Sequence, residues 1–324
     1  MALLPGSPYF GILHSNVQVT DFFRDNDCAS FRAPWLSLFF IGGMDMEIRH
    51  YRWNDGKKLT VGERTLIMGV LNYTPDSFSD GGKWNDIDTA LRHMEDMVAD
   101  GADIIDIGAE SSRPGFTPIS AAEEIERLER ILPRLVDACP VPISVDTYKA
   151  ETADYAMSTG AHIMNDIWGL QYAPEPGKMA AVAAKHGVPV VVMHNQEGTE
   201  YGDIIGDMKR FFIRSSIIAD QAGMRQDQII TDPGIGFGKT FEQNVYVIKH
   251  LRELTALPYP MLLGTSRKGF IGKILDLPVT ERMEGTGATC VAGVLSGCTI
   301  MRVHDVRPIA RMCRMADALV DNLR

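Results

Sequence analysis

Three short, mostly apolar runs of this sequence each end in a side chain that can exchange hydrogen bonds with a small molecule. Asp146, Asn165 and Asp232 come directly after such runs. A carboxylate accepts two N–H bonds from a guanidine-like edge, and an amide both donates and accepts. For Asp146 or Asn165 alone, a helix cap is the simpler interpretation. Together the three side chains predict a site for a flat heterocycle rich in N–H donors.

Basic side chains follow two further apolar runs near the end of the chain. Lys268 comes shortly after the seventh run, and Arg302 and His304 lie at the end of the eighth. Residues two apart on a strand point the same way, so Arg302 and His304 suit a phosphate or pyrophosphate, near Asn72 on the adjacent strand. A solvated Lys268 and a structural His304 are the alternatives, and the position of both after strand ends argues against them.

A glycine-rich segment, DPGIGFGKT over 232–240, ends like the phosphate-binding loop of nucleotide hydrolases. Gly238, Lys239 and Thr240 match the end of GxxxxGK[ST], but Pro233 stands where the first glycine is required. A nucleotide hydrolase is therefore not expected. We expect these glycines to let the backbone and a ligand approach each other closely.

Two polar loops follow the first two apolar runs. The first, NYTPDSFSDGG over 72–82, contains Asp80, and the second, GAESSRPG over 108–115, contains Arg113. Adjacent loops of this type can close over a substrate and exclude water. We expect Asp80 and Arg113 to pair on closure, and an uninvolved surface loop is the alternative.

These residues need a scaffold that brings many strand ends to one place. From Leu66 onward, eight short apolar runs alternate with amphipathic stretches of helical period. Such runs are typical of parallel strands buried on both faces. Eight strand–helix units over about 255 residues predict an α/β fold, the (β/α)8 TIM barrel, whose chemistry lies at the C-terminal strand ends. An open doubly wound sheet is the competitor, but no glycine fingerprint follows the first run.

The N-terminal part of the chain differs from the rest. Residues 1–46 mix Gly, Pro, Ser, Asn and scattered aromatic residues without helical or strand period, so we expect a disordered extension. Residues 47–65 predict a short strand or hairpin with a turn at Asn54-Asp55-Gly56. One barrel domain over 47–324 is therefore expected.

Composition narrows the class of partner. The 324 residues carry 32 Lys and Arg against 42 Asp and Glu, a net charge of −10. Such a chain is poorly suited to nucleic acid or an anionic membrane. No apolar segment reaches the roughly 20 residues that a membrane-spanning helix needs. The five cysteines are odd in number and lack CxxC spacing, which favours buried thiols in a reducing compartment. We expect a cytoplasmic protein that acts on small molecules.

Seven motifs together resemble the dihydropteroate synthase family, in the family's order and from Leu66 to Leu319. They are NYTPDSFSDGG, DIGAESSRPG, SVDTYKAE, NDI, DPGIGFGKT, SRKGFIG and RVHDV. The resemblance implies a pterin-binding transferase of folate biosynthesis and a sulfonamide target. It would condense 6-hydroxymethyl-7,8-dihydropterin diphosphate with p-aminobenzoate to give 7,8-dihydropteroate and pyrophosphate. The resemblance also implies Mg²⁺ as cofactor and a homodimer.

The resemblance further implies roles for individual residues. The pterin contacts are Asp146, Asn165, Asp232 and Lys268. The diphosphate and Mg²⁺ contacts are Asn72, Ser112, Arg302 and His304, with Asn72 as the metal ligand. The p-aminobenzoate contacts are Phe78, Arg113, Pro114, Phe237 and Ser266. Met193, at the end of the fifth run, is a further substrate-binding candidate. The residues expected to act in catalysis are Asp146, Asp232, Lys268, Arg113 and Asp80.

Three positions depart from the residues usual in the family. Ser112 replaces Thr, Ala109 replaces Gly, and Tyr73 replaces a small aliphatic residue. A catalytically silent pterin-binding paralogue is therefore one alternative. A methyltetrahydrofolate-dependent corrinoid methyltransferase, which shares the barrel and the pterin carboxylates, is another. The methyltransferase needs no pyrophosphate pocket, so Arg302 and His304 argue against it.

Overall fold

A computed structural model of the protein describes residues 48–73, 83–110 and 117–320. All of these residues belong to one compact unit of the chain, Gly43–Arg324. The extension over 1–46 that the sequence predicts to be disordered lies outside the described residues.

A β-hairpin opens the described chain, as the sequence predicts over 47–65. Strands β1 (Arg49–Arg52) and β2 (Lys58–Val61) pair antiparallel around the turn at 54–56. Gly56 adopts φ +88°, a conformation that favours glycine. The hairpin shares a buried apolar core with the barrel strands, formed by Tyr51, Leu59, Val61, Leu66, Met68, Ile104, Ile163, Val191, Ile230, Leu262 and Ile300. It therefore covers the N-terminal end of the barrel, opposite the predicted site.

Eight parallel strands form one sheet that curls into a barrel. They are β3 (Leu66–Asn72), β4 (Ile104–Gly108), β5 (Ile143–Asp146), β6 (Ile163–Asp166), β7 (Val190–Met193), β8 (Ile229–Asp232), β9 (Leu262–Leu263) and β10 (Ile300–Val303). Their order is β8-β7-β6-β5-β4-β3-β10-β9. The two edges meet in a parallel bridge between Thr231 and Met261. The predicted (β/α)8 barrel is confirmed.

Helices alternate with the strands along the chain. They are α1 (Lys83–Ala99), α2 (Ala121–Ala138), α3 (Ala150–Thr159), α4 (Lys178–His186), α5 (Ile204–Gln221), α6 (Phe241–Lys249), α7 (Leu251–Thr255), α8 (Gly269–Leu275), α9 (Met283–Leu295) and α10 (Val306–Val320). Polar caps begin two of them: Ser120 accepts the N–H of Glu123 before α2, and Thr240 accepts that of Gln243 before α6. Strands β4 to β8 are buried along their whole length, as their apolar runs predict.

The amphipathic stretch over 241–254, whose helical period predicts one helix, forms two helices, α6 and α7. The chain leaves helical geometry at His250, where φ is −111° and ψ is 18°. The His250 ring donates from Nδ1 to the carbonyl of Tyr246 at 2.7 Å and stacks on the Tyr246 ring at 3.9 Å. Side-chain bonds to nearby carbonyls compete with continuation of a helix. The apolar period runs across the break, so periodicity alone indicated one helix.

Arg49 of the hairpin spans the seam between β8 and β9. Its guanidinium donates to the carbonyls of Asp227 at 3.1 Å, Ile229 at 2.7 Å and Pro258 at 2.8 Å. The hydroxyl of Tyr51 donates to the Asp227 carbonyl at 2.5 Å. Because the β8–β9 pairing in the described chain is short, these bonds tie the two edges together at the N-terminal end of the barrel.

Arg49→Met is expected to lower the free energy of unfolding by about 3 kcal/mol, since several carbonyls lose a charged donor. Urea denaturation followed by circular dichroism measures this change. Arg52→Met, which removes an exposed arginine from the same strand, is the matched control. Equal stability of the two variants would contradict the role of Arg49 at the seam.

Two general features of the described chain concern its helices and its cysteines. None of its helices is both long and apolar enough to cross a membrane. The cysteines of the described chain, Cys139, Cys290, Cys298 and Cys313, are all buried.

Candidate active site

Four buried polar side chains and one arginine meet at the C-terminal end of the barrel. Asp106, Asp146, Asn165 and Asp232 lie on β4, β5, β6 and β8, and each is less than a tenth exposed, at 0%, 7%, 4% and 6%. Arg302 lies near the end of β10. The structure thus brings the three predicted strand-end residues together and adds Asp106 and Arg302 to them.

Arg302 is the common partner of these carboxylates. Its Nε donates to Oδ2 of Asp106 at 2.6 Å, and its Nη2 donates to Oδ2 of Asp146 at 2.8 Å. Asn165 donates from Nδ2 to Asp106 Oδ2 at 3.2 Å. Burial works against the guanidinium, but Asp106 and Asp146 raise the pKa of Arg302 above its ordinary value. Arg302, which the sequence predicts as a diphosphate contact, therefore has its guanidinium paired with two carboxylates, and one of these, Asp146, is a predicted pterin contact.

Asp106 is a site residue that the pattern of strand ends does not reveal. It lies within the second apolar run rather than after it, and it is fully buried. The sequence did contain a signal, because a carboxylate between Ile105 and Ile107 is almost never buried without a charged partner. That signal predicts a buried ion pair, and in the structure the partner is Arg302.

Asp232 and Lys268 form the second charged part of the site. Oδ1 of Asp232 accepts the N–H of Gly234 at 2.7 Å. Burial raises the pKa of the Asp232 carboxyl, and the charge of Lys268 opposes that shift. Burial lowers the pKa of Lys268 to about 8, against the attraction of Asp232. Lys268 Nζ donates to the carbonyl of Ile235 and lies 4.7 Å from the centroid of the Phe237 ring. Shifted pKa values of this kind are typical of functional sites.

The backbone of the glycine-rich segment over 232–240 is left-handed at three positions. Its three glycines have φ of +63°, +88° and +53°, which other residues rarely adopt. A Cβ at Gly234 would also collide with the carbonyl oxygen of His194. Lys239 is buried, so it does not reach outward as the lysine of a phosphate-binding loop does.

Ser266 and His304 contact each other after β9 and β10. Oγ of Ser266 accepts the backbone N–H of His304 at 3.1 Å and lies 2.9 Å from Nδ1 of its ring. Arg267, between Ser266 and Lys268, donates from Nη2 to Asp305 at 2.6 Å. Of the first three residues of the SRKGFIG motif, Arg267 is therefore committed to an ion pair, Ser266 contacts His304, and Lys268 contacts the glycine-rich segment.

A group of apolar and aromatic side chains, the apolar wall, lies beside the charged residues of the site, where Lys268 approaches the Phe237 ring. Met193 and Phe237, both predicted to bind substrate, belong to this wall. Its members are Tyr148, Ile167 and Met193, with the partly buried Trp168, Tyr172 and Phe237 packed against them. Aromatic and apolar side chains beside a few polar groups are the usual lining of a small-molecule site.

Asn72 ends β3 and is half-buried. Within the described ranges, no three His, Cys, Asp or Glu side chains are grouped to hold a metal ion. The Asn72 amide offers an oxygen, the donor type that Mg²⁺ prefers, and Mg²⁺ commonly takes its other ligands from water and substrate phosphates. Asn72 therefore fits a magnesium ion that binds with a diphosphate.

Five predicted site residues lie outside the described residues. They are Phe78, Asp80, Ser112, Arg113 and Pro114. Their assignment to loop closure and to the p-aminobenzoate and diphosphate sites stays a prediction.

The pterin binding enzyme family matches residues 68–304 of this chain. That range begins within β3 and ends at His304, so it includes the strands that carry Asp106, Asp146, Asn165, Asp232 and Arg302. A pterin-binding barrel enzyme is also the class of protein that the fold and the polar C-terminal end of the barrel indicate.

Individual proteins similar to this chain are dihydropteroate synthases. The dihydropteroate synthase of Bacillus subtilis (strain 168) is 52% identical over 263 residues, which cover 81% of this chain and 91% of that protein. A dihydropteroate synthase structure from Clostridium difficile, determined in the presence of pteroic acid, has a TM-score of 0.77 and 48% identity, covering 80% of this chain and 98% of that chain. The Xanthomonas albilineans enzyme with 4-aminobenzoic acid has a TM-score of 0.77 and 36% identity, covering 82% and 96%. This chain belongs to the dihydropteroate synthase family of pterin-binding enzymes.

Proposed function

We propose that this chain condenses 6-hydroxymethyl-7,8-dihydropterin diphosphate with p-aminobenzoate, giving 7,8-dihydropteroate and pyrophosphate. The observation that carries the proposal is the meeting of Asp146, Asn165, Asp232 and Lys268 at the C-terminal end of the barrel. These groups offer two carboxylates, an amide and an ammonium beside an apolar wall. A pterin needs this combination, because its flat ring carries N–H donors and hydrogen-bond acceptors along its edges.

The chain's own residues account for the charge that develops in the reaction. The C–O bond between the pterin methylene and the diphosphate breaks, and its electron pair leaves with pyrophosphate. A C–N bond forms with the amine of p-aminobenzoate, which then loses a proton to water. Asp146 and Asp232 stabilise the positive charge that develops on the pterin and its methylene, a role supported by their burial at the same end of the barrel. The amine is a nucleophile while neutral, so no base is required before it attacks.

The diphosphate and the aminobenzoate occupy the side of the site that His304 and Ser266 define. His304 donates to the diphosphate, and Ser266 donates to the carboxylate of p-aminobenzoate. A Mg²⁺ ion held by Asn72 would supply positive charge to the departing pyrophosphate oxygens. The shared contact of Ser266 and His304 keeps these two binding groups adjacent.

The direct test mixes the purified protein with the pterin diphosphate, p-aminobenzoate and Mg²⁺ and measures pyrophosphate and dihydropteroate together. Equal amounts of both products support the proposal. Pterin binding without either product identifies a silent pterin-binding paralogue instead. Transfer of a methyl group from methyltetrahydrofolate to a corrinoid would favour the methyltransferase.

Asn72→Ala is expected to raise the Mg²⁺ concentration needed for half-maximal rate by at least about tenfold, because the ion loses its protein ligand. The affinity for pteroic acid, which carries no diphosphate, should stay unchanged. Asn54→Ala, in the exposed hairpin turn, is the matched control. A magnesium dependence equal to that of the control would remove Asn72 from the metal site.

A homodimer through helices α8 to α10 is a further part of the proposal. These helices and the turn between α8 and α9 expose Ile274, Leu275, Val279, Leu295, Met315 and Leu319. Helix α9 contains a single charged residue, Glu284. A second copy of the chain is the partner that would cover this apolar surface.

Analytical sedimentation should find a dimer of the parent protein. Met315→Asp places a charge at a residue that is 61% exposed and should shift the protein to a monomer. A monomeric parent protein would contradict the dimer.

A further inference from the structure

Lys239 belongs to the glycine-rich segment, and its buried ammonium bonds to the backbone of that same segment. No step of the proposed reaction uses it. Its Nζ donates to the carbonyls of Gly234 at 3.1 Å and Phe237 at 3.0 Å. Its third contact is Nδ1 of His194 at 3.0 Å. A lysine ammonium has three N–H donors and no acceptor, so all three donors of Lys239 are used.

His194 is built to accept this bond. Burial and the charge of Lys239 lower the pKa of its ring far below the ordinary value, so the ring is neutral and Nδ1 is free of a proton. The ring packs edge-on against Phe211 at 4.9 Å. Its backbone N–H donates to the carbonyl of Asp232 at 2.8 Å. His194 is therefore fixed by its own strand end and by neighbouring aromatic packing.

The glycine-rich segment thus has two faces. On the inner face the carbonyls of Gly234 and Phe237 point to Lys239. On the outer face, the N–H of Gly234 donates to Asp232, and the carbonyl of Ile235 accepts from Lys268. The inner contacts therefore fix the backbone that presents its outer groups to two predicted pterin ligands.

We propose that Lys239, with His194, is a positioning residue that holds the glycine-rich segment in the shape required for Asp232 and Lys268 to bind the pterin. Three glycines with left-handed φ leave this segment few intrinsic constraints, because glycine has the largest backbone freedom. The buried ammonium supplies constraints instead, through hydrogen bonds to two carbonyls of the segment and a third to His194. The inference rests on the proposed function for the identity of the ligand, but not for the effect of Lys239 on the segment.

The support that Lys239 gives to the glycine-rich segment is expected to depend on pH. Burial lowers the pKa of Lys239 to about 7, Asp232 opposes the shift and Lys268 adds to it. His194, the third titratable group that faces it, is neutral throughout this range. Below its pKa Lys239 has three donors, and above it the amine has two. Support for the segment should therefore weaken as pH rises through neutrality.

The first experiment follows amide hydrogen exchange of the ligand-free protein over the segment 233–240. Lys239→Met, which keeps the length of the side chain but removes its donors, should increase deuterium uptake in this segment at a pH below the pKa of Lys239. Lys249→Met, at an exposed lysine of α6, should leave uptake unchanged. Equal uptake in both variants would overturn the proposal whether or not the protein binds a pterin.

The second experiment measures the affinity for pteroic acid by calorimetry across neutral pH. Below the pKa of Lys239 the Lys239→Met protein should bind about tenfold more weakly than the parent, the scale of one charged hydrogen bond. This ratio should shrink as pH rises, because the parent loses the same ammonium. A ratio that is constant with pH would indicate general structural damage and contradict the positioning role.

A second pair of variants covers the case in which Lys239→Met does not fold. His194→Asn keeps an acceptor near the position of Nδ1, whereas His194→Phe keeps a ring without one. The asparagine variant should retain the parent's low uptake over 233–240, and the phenylalanine variant should not. Identical behaviour of the two would refute the role of the Lys239–His194 bond. Failure of the parent protein to bind pteroic acid at any pH would instead refute the proposed function.

Discussion

Asp232→Asn should reduce kcat/KM for the pterin diphosphate at least about 100-fold, the cost of losing one electrostatic contact in a buried active site. The asparagine presents an N–H₂ group or a weaker acceptor at the position of a proposed carboxylate contact with the pterin. It also removes the negative charge that faces Lys268, so the buried ammonium loses its compensating partner. Steady-state kinetics and calorimetry with pteroic acid should both detect the loss.

The matched control for this exchange is Asp220→Asn, at an exposed position of α5. It should keep the kinetics of the parent protein. Near-parent kinetics for Asp232→Asn would show that Asp232 does not bind the pterin. A loss confined to stability, with kcat/KM retained by the folded fraction, would give Asp232 a structural role only.

The barrel and half of its site follow from simple rules applied to the sequence. Strands buried on both faces appear as short apolar runs, and the C-terminal ends of parallel strands meet at one end of a barrel. For that reason Asp146, Asn165 and Asp232 could be placed together from their positions after three runs. The structure adds the distances that make them one cluster around Arg302.

The roles of Asp106 and Lys239 could not be predicted from the sequence, because they depend on contacts between residues far apart in the chain. Asp106 is 196 positions from Arg302, and the run that contains Asp106 was interpreted only through its apolar members. Lys239 was compared with a phosphate-binding lysine because its neighbours resemble that motif. Its inward direction depends on His194, 45 positions away, which no local pattern could indicate.

The same limit applies to the closure of the barrel. The hairpin could be predicted from its turn at 54–56, but its attachment could not. Arg49 reaches carbonyls that are 180 and 209 positions further along the chain. Such contacts are set by the geometry of the finished barrel, which local periodicity does not contain.

Asp106→Ala is expected to be the most damaging substitution for stability at the C-terminal end of the barrel. It removes the acceptor of Arg302 Nε and of Asn165 Nδ2 in a position that is fully buried. Breaking a buried ion pair by removing one partner costs about 3–5 kcal/mol, because the other charge stays buried without compensation. Urea denaturation should show that loss, and kcat/KM should fall as well, because Asn165 and Arg302 no longer have a fixed position.

The double variant Asp106→Ala with Arg302→Met separates stability from function. Removing both charges should recover much of the lost free energy of unfolding, since the uncompensated guanidinium is gone. Activity should not recover, because Arg302 also bonds to Asp146, a proposed pterin contact, and is itself a proposed diphosphate contact. If the double variant regained both, the pair would be a structural ion pair alone. If it regained neither, the cost of Asp106→Ala would come from the cavity rather than from the buried charge.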